Sequence, residues 1–122
     1  MKFSEDYAIG TNVIRAFNDT SIDINNLSYS NSLIVGNNIL IDDWGIQHIE
    51  ELSADNWQLL LSHNPEVILI GTGKSLVFPH PSSYAPAIEM GIGVEFMDSG
   101  AACRTYNVLV SEDRSVIAGI IL

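Results

Sequence analysis

The sequence predicts an α/β fold built on a mixed, partly parallel sheet. Three observations carry that reading. The chain has 122 residues, 47% of them hydrophobic and only 16% charged. That is the size and composition of one folded domain, able to bury roughly two thirds of its extended surface. The residue pattern changes near position 50, from short strand-like runs to alternating helices and strands. Val67-Ile68-Leu69-Ile70 is a continuous apolar run, the mark of a strand covered on both faces, as central parallel strands are. We expect one domain over residues 1–122, with an antiparallel β part over about 1–50 and an α/β part over about 51–122.

In the first part, Val13 to Phe17 and Ser21 to Ile24 read as strands around the turn-forming triplet Asn18-Asp19-Thr20. Leu33-Ile34-Val35 and Ile39-Leu40-Ile41 flank Gly36-Asn37-Asn38. Glycine and asparagine tolerate positive φ, so this segment reads as a tight hairpin.

In the second part, Ser53 is placed to cap a helix running to about His63, with Trp57, Leu60 and Leu61 on one side. Asn64-Pro65 ends it, because proline disfavours the α conformation in the residue before it. The run from Val67 ends at Gly71. Ser82 or Ser83 starts a short helix that Gly91 ends, and Ile92 to Phe96 is the next strand. Asp98 or Ser99 caps a helix from about Gly100 to Ser111, where Ala102, Tyr106 and Leu109 share a face. Arg114 to Leu122 holds the last strand. Strands separated by helices imply parallel neighbours with right-handed crossovers.

Charge narrows the partners. Fifteen acids oppose five bases, for a formal net charge of −10. The bases Lys2, Arg15, Lys74, Arg104 and Arg114 are scattered. They form no stripe able to displace counterions from a phosphate backbone, so nucleic acid and anionic membrane surfaces are discounted as direct partners. No apolar run reaches the roughly 20 residues of a membrane-spanning helix. The start, Met1-Lys2-Phe3-Ser4-Glu5-Asp6, resembles no signal peptide, which makes a cytoplasmic protein the expectation. Cys103 is the single cysteine, so neither an intramolecular disulfide nor a cysteine-based zinc site forms within the chain.

Gly71-Thr72-Gly73-Lys74-Ser75 resembles the end of a phosphate-binding P-loop, but Ile68 stands where the first glycine belongs and Leu76-Val77-Phe78-Pro79 does not open a helix. The glycines read instead as a sharp turn at the carboxyl end of a strand, where open α/β sheets place ligands. Cys103 falls in the first turn of a helix beside Arg104, a setting that favours a thiolate. His80, oriented with it by Asp98, is the one histidine placed to act as its base. The competing reading is an inert, packed thiol beside Ala101 and Ala102. Asp42-Asp43 and Glu50-Glu51 match no calcium-loop spacing, and no metal or other cofactor is expected. His63 near a helix end suits the dipole, and Trp44 and Trp57 read as core or interface anchors.

Arg104, Thr105, Tyr106 and Asn107 place four polar-capable residues within one turn. They read as a hydrogen-bond network joining the helix to nearby loops, or as a polar site with Arg104 as its cation. A cation near a helix N-terminus gains nothing from the dipole, so Arg104 needs another partner. An internal acid, Glu95 or Asp98, is the first expectation. An exogenous anion near Gly71–Gly73 is the second. The candidate binding or structural-polar site is therefore Gly71, Thr72, Gly73, Lys74, Asp98, Cys103, Arg104, Thr105, Tyr106 and Asn107, with no residue assigned as catalytic.

The run from Glu95 through Asp98-Ser99-Gly100-Ala101-Ala102-Cys103-Arg104-Thr105-Tyr106-Asn107 to Leu109 closely resembles a family signature. The family is the small α/β domain of largely uncharacterised bacterial and archaeal proteins that includes the mitochondrial respiratory complex I assembly factor 3. Val67 to Gly73, Glu112, Arg114 and Val116 match it as well. Ser99 stands where threonine is usual and Asp113 where glycine is usual, and His80 is not part of the pattern. The resemblance implies a three-layer fold, with helices on one side of a central mixed sheet and extra N-terminal β structure on the other. It implies no catalytic residues. It implies action by association with protein partners, as a non-enzymatic binding domain that assembles a respiratory or other membrane-associated complex. The lack of a mitochondrial presequence fits a prokaryotic relative. A small-anion binder or thiol-dependent enzyme at the edge of Gly71–Lys74 and Asp98–Arg104 is the alternative. A homo-oligomer stays open.

Overall fold

The computed structural model describes residues 10–122. The acidic start at Met1–Asp6, with Lys2, lies outside the described residues.

β1 (Ile14–Phe17), β2 (Ile22–Ile24) and β3 (Leu27–Tyr29) form an antiparallel sheet in that order. The β1–β2 turn is built as its residues dictate. The Asn18 side-chain oxygen accepts from the backbone N–H of Thr20 at 2.9 Å and of Ser21 at 3.0 Å, an Asx turn. The three-residue β3 was not anticipated. It follows a turn in which Asn25 takes φ +56°.

The second sheet has the order β5-β4-β8-β6-β7. Its strands are β4 (Leu33–Gly36), β5 (Leu40–Ile41), β6 (Val67–Gly71), β7 (Gly93–Met97) and β8 (Val116–Ile120). β6 runs parallel to both β7 and β8, with Val67 opposite Gly93 on one side and Val116 on the other. β4 joins β8 antiparallel, Leu33 opposite Ile120. The sheet is mixed, and the three C-terminal strands are parallel neighbours as expected.

The hairpin between β4 and β5 forms, but for a different reason. None of Gly36, Asn37 and Asn38 takes positive φ. Gly36 is needed for space, since a Cβ there would lie 2.8 Å from Ile39 Cγ2 and 3.0 Å from the Val116 carbonyl. Asn37 donates to the Arg114 carbonyl at 3.0 Å and accepts from Val116 N–H at 2.9 Å, so its side chain starts β8.

The helices are α1 (Ala54–Leu61), α2 (Ala85–Glu89) and α3 (Ser99–Ser111). Ser53 caps α1 and Asp98 caps α3. α2 differs from expectation at its start. A 3₁₀ turn over Pro81–Tyr84 precedes it, and the cap of that turn is His80, not a serine.

The fold class is the one expected, but the helices do not share one side of the sheet. β5 to β6 and β6 to β7 both step toward the β7 edge, whereas β7 to β8 steps back past β6. Right-handed crossovers in opposite directions place their helices on opposite faces. Accordingly Trp57, Leu60 and Leu61 of α1 and Ala87 of α2 pack with Ile34, Ile68, Ile70 and Ile117. Ala102, Cys103, Tyr106 and Val110 of α3 pack with Leu33, Leu69, Val116 and Ala118. The N-terminal sheet lies on that second face, through Ile14, Ile22 and Ile24. β8 contributes to both cores, and all five of its residues are buried. Gly119 leaves room for the indole of Trp44, whose ring carbons would sit 2.5 and 2.7 Å from a Cβ at that position.

Candidate functional site

The carboxyl end of β6 and the N-terminus of α3 meet in a tight corner. A Cβ on Gly71 would lie 2.8 Å from Ser99 Oγ and 2.9 Å from Ser99 Cα. Gly73, at φ +100°, has nothing within 4 Å of such a Cβ; here the backbone conformation selects glycine. Ser99 is fully buried. Its N–H donates to the Gly73 carbonyl at 2.8 Å, and its Oγ accepts from Gly73 N–H at 2.9 Å and donates to the Ile121 carbonyl. Thr72 Oγ1 donates to the Ser75 carbonyl at 2.6 Å and accepts from Val77 N–H at 3.1 Å, closing the loop on itself. The segment after Lys74 runs without helix to Pro81, as its residues predict.

Asp98 Oδ1 accepts from Ala101 N–H at 2.9 Å. The carboxylate is therefore committed to the helix cap. Arg104 is exposed and makes no ion pair among the described residues, which corrects the expectation of an internal pair with Glu95 or Asp98. Sequence proximity misleads here because the Asp98 side chain turns onto its own helix. Lys74 pairs with Asp19 across 3.6 Å, both side chains well exposed, an arrangement of little energetic weight.

Tyr106 and Asn107 dock α3 onto the N-terminal sheet. The Tyr106 hydroxyl donates to the Asn12 carbonyl at 2.8 Å. Asn107 accepts from Ile14 N–H at 3.0 Å and donates to the Ile14 carbonyl at 2.7 Å. The register of β1 against β2 shifts between Ile14 and Ala16, so Asn107 satisfies backbone at a bulge. Thr105 is half-buried beside them.

Cys103 is buried, and burial pushes its thiol up to about 12, only partly opposed by Arg104. His80 leads into α2 on the other face of the sheet and shares its Nδ1 with Ser82. The structure does not bring Cys103 and His80 together, and the thiol-enzyme alternative loses both its nucleophile and its base.

Two acids, Glu51 and Glu66, have structural tasks. Glu51 accepts from the backbone N–H groups of Gln47 and His48, both at 2.8 Å, and the Gln47 bond is the main reason its carboxyl is held below the ordinary range. Glu66 accepts from Ser115 N–H at 2.9 Å, which lowers it in the same way with help from Arg114. Among the described residues no cluster of three or more His, Cys, Asp or Glu is placed to hold a metal.

Two neighbouring cavities flank the α3 N-terminus, sharing Phe17 and Gly100. One of about 330 Å³ includes Gly73, Lys74, Asp19 and Asp98. The other, of about 240 Å³, runs between β1 and α3 and includes Arg15, Cys103, Arg104 and Asn107. Sequence reasoning singled out neither Ser99 as a buried bridge nor Arg15 and Phe17 as neighbours of Arg104. The clue to the first was a small hydroxyl between a capping acid and a glycine.

Comparison with known proteins adds four findings. The family described as "Protein of unknown function (DUF498/DUF598)" matches residues 14–121. The chain is 41% identical over 76 residues to the 13 kDa major membrane protein of Francisella tularensis subsp. holarctica, covering 62% of each chain. It is 30% identical over 80 residues to the NADH dehydrogenase (ubiquinone) 1 alpha subcomplex assembly factor 3 of Xenopus tropicalis, covering 64% of this chain and 44% of that one. The match thus spans less than two thirds of either relative's length. The crystal structure of a Bordetella parapertussis protein superposes with a TM-score of 0.86 at 32% identity, covering 93% of this chain and 98% of that one.

Proposed function

The chain belongs to the DUF498/DUF598 family, and from that membership we propose that it is a non-enzymatic protein-binding domain that helps assemble a respiratory or other membrane-associated complex. The observation that carries this reading is the 30% identity over 80 residues with a complex I assembly factor. In this reading the chain is one domain, acts from the cytoplasm and meets the membrane through its partners. No helix among the described residues is long and apolar enough to cross a membrane.

Surface chemistry supports binding to protein. Phe78 packs edge-on against Phe96 of the edge strand β7, yet stays 67% exposed. Leu76, Ile88 and Met90 are also exposed by half or more. Apolar groups of this size beside an open strand edge are suited to a protein contact.

The test is affinity purification of the tagged chain from cells that make it, in mild detergent, with identification of co-purifying proteins. Recovery of subunits of a membrane-associated complex is the expected result. A monomer that recovers no protein but carries a bound metabolite overturns the reading.

A further inference from the structure

Arg15 of β1 and Arg104 of α3 line the same groove of about 240 Å³. Both are exposed, and neither makes an ion pair among the described residues. This is notable in a chain with fifteen acids and five bases. The two other described bases each have an acid, Lys74 with Asp19 at 3.6 Å and Arg114 with Glu66 at 3.2 Å. Among the described residues no aspartate or glutamate lines this groove, and Asp19 and Asp98 line the neighbouring cavity that shares Phe17 and Gly100 with it. Asp98, the acid nearest to Arg104 in sequence, is held by Ala101 N–H.

The floor of the groove is Gly100. A Cβ at that position would lie 3.4 Å from Asp98 Oδ1, 3.5 Å from Arg104 Nη1 and 3.6 Å from Phe17 Cε2, the Asp98 oxygen being the one that accepts from Ala101 N–H. The guanidinium and the aromatic ring therefore sit side by side over a residue with no side chain. We propose that this groove binds an oxyanion, carboxylate or phosphate, carried on a group whose flat apolar face packs on Phe17. Two guanidinium groups with no ion-pair partner among the described residues match the planar, two-pronged geometry of such anions. The phenyl ring of Phe17 adds apolar area beside them. The site is independent of the assembly role, because it rests on the charge arrangement alone.

Phenyl phosphate is the probe, titrated into the full chain and followed by amide chemical shifts. The expected result is saturable shifts at Arg15, Phe17, Gly100 and Arg104 at millimolar probe, with inorganic phosphate shifting the same amides more weakly. Arg15→Gln/Arg104→Gln should bind roughly tenfold or more weakly, whereas Arg114→Gln should bind like the parent. Arg104→Lys keeps the charge but loses the fork, so it should lie between parent and double variant and serves if the latter does not fold. Absence of saturable shifts in the parent overturns the proposal. So does a titration of either groove variant indistinguishable from the parent, or an equal loss in Arg114→Gln.

Discussion

Asn107 holds Ile14 by both of its backbone polar groups, accepting from the N–H at 3.0 Å and donating to the carbonyl at 2.7 Å. The residues are 93 positions apart. One side-chain amide thus does for the β1 bulge what a neighbouring strand would do. Asn107→Ala leaves two part-buried groups without their partner, each costing about 1–3 kcal/mol. We expect a loss of about 2–6 kcal/mol in urea melts, with the N-terminal sheet losing amide protection first in hydrogen exchange.

Gly71 and Gly73 should fail differently when replaced by alanine. At Gly71 the new methyl meets Ser99 Cα at 2.9 Å, and backbone cannot yield as a flexible side chain can. A cost of about 1–3 kcal/mol follows from overpacking, and Ser99→Gly should relieve part of it. At Gly73 the methyl meets nothing, and the cost of about 1–3 kcal/mol comes from φ +100°. Ser99→Gly should not rescue Gly73→Ala. Double-mutant cycles by denaturant melts check both statements.

Asp113→Gly should stabilise the fold. Asp113 follows the C-cap of α3 at φ +63°. Its N–H donates to the Val110 carbonyl at 3.1 Å and Arg114 N–H donates to the Leu109 carbonyl at 3.0 Å. That pair of bonds defines a Schellman cap, whose left-handed position favours glycine. Removing the Cβ strain should gain roughly 0.5–1 kcal/mol, read as a higher urea midpoint at constant slope.

Acid should weaken the protein in part through Glu66 and Glu51. Both carboxyls are lowered from 4.5 by backbone N–H bonds. A depressed native pKa contributes stability that is fully present above the unfolded value and lost as pH falls through the native one. Thermal midpoints of parent and Glu51→Gln/Glu66→Gln should therefore differ most at neutral pH. They should converge as pH falls below the ordinary carboxyl value of 4.5 and through the lowered native ones. A gap that widens on acidification contradicts the assignment.

Cys103 should react only when the protein opens. With its thiol pushed up to about 12 by burial, roughly one molecule in ten thousand carries thiolate at pH 8. Labelling by an aromatic disulfide should be slow and should accelerate in proportion to the unfolded fraction as urea is added. Rapid labelling in native buffer contradicts this.

Much of the fold was legible because local signals agreed with it. The apolar run Val67–Ile70, the caps Ser53 and Asp98, and the Asn18 turn each depend on neighbours in sequence. The face taken by α3 was not legible. It is set by the order of strands in the sheet, and the pattern of α3 is the same on either side. The sequence leaves Asp98 and Ser99 as equal candidates for the cap, because the partners of Ser99, Gly73 and Ile121, are 26 and 22 positions away. Of the polar cluster, Tyr106 bonds to Asn12 and Asn107 to Ile14 of β1, partners that lie more than 90 positions away. The environment of Arg104 was missed, because Arg15 and Phe17 reach it from the other end of the chain.

The position of β8 between β4 and β6 has a consequence for synthesis on the ribosome. β8 follows every strand it joins, and it supplies side chains to both cores. Until it emerges, the β4–β5 hairpin and the β6–β7 pair have no strand between them. Residues 98–115 separate β7 from β8, so β8 is made about one to four seconds after β7 at 5–20 residues per second. Folding is then completed by insertion of one strand, which makes β8 the point where a stalled or shortened chain is most exposed to capture by chaperones.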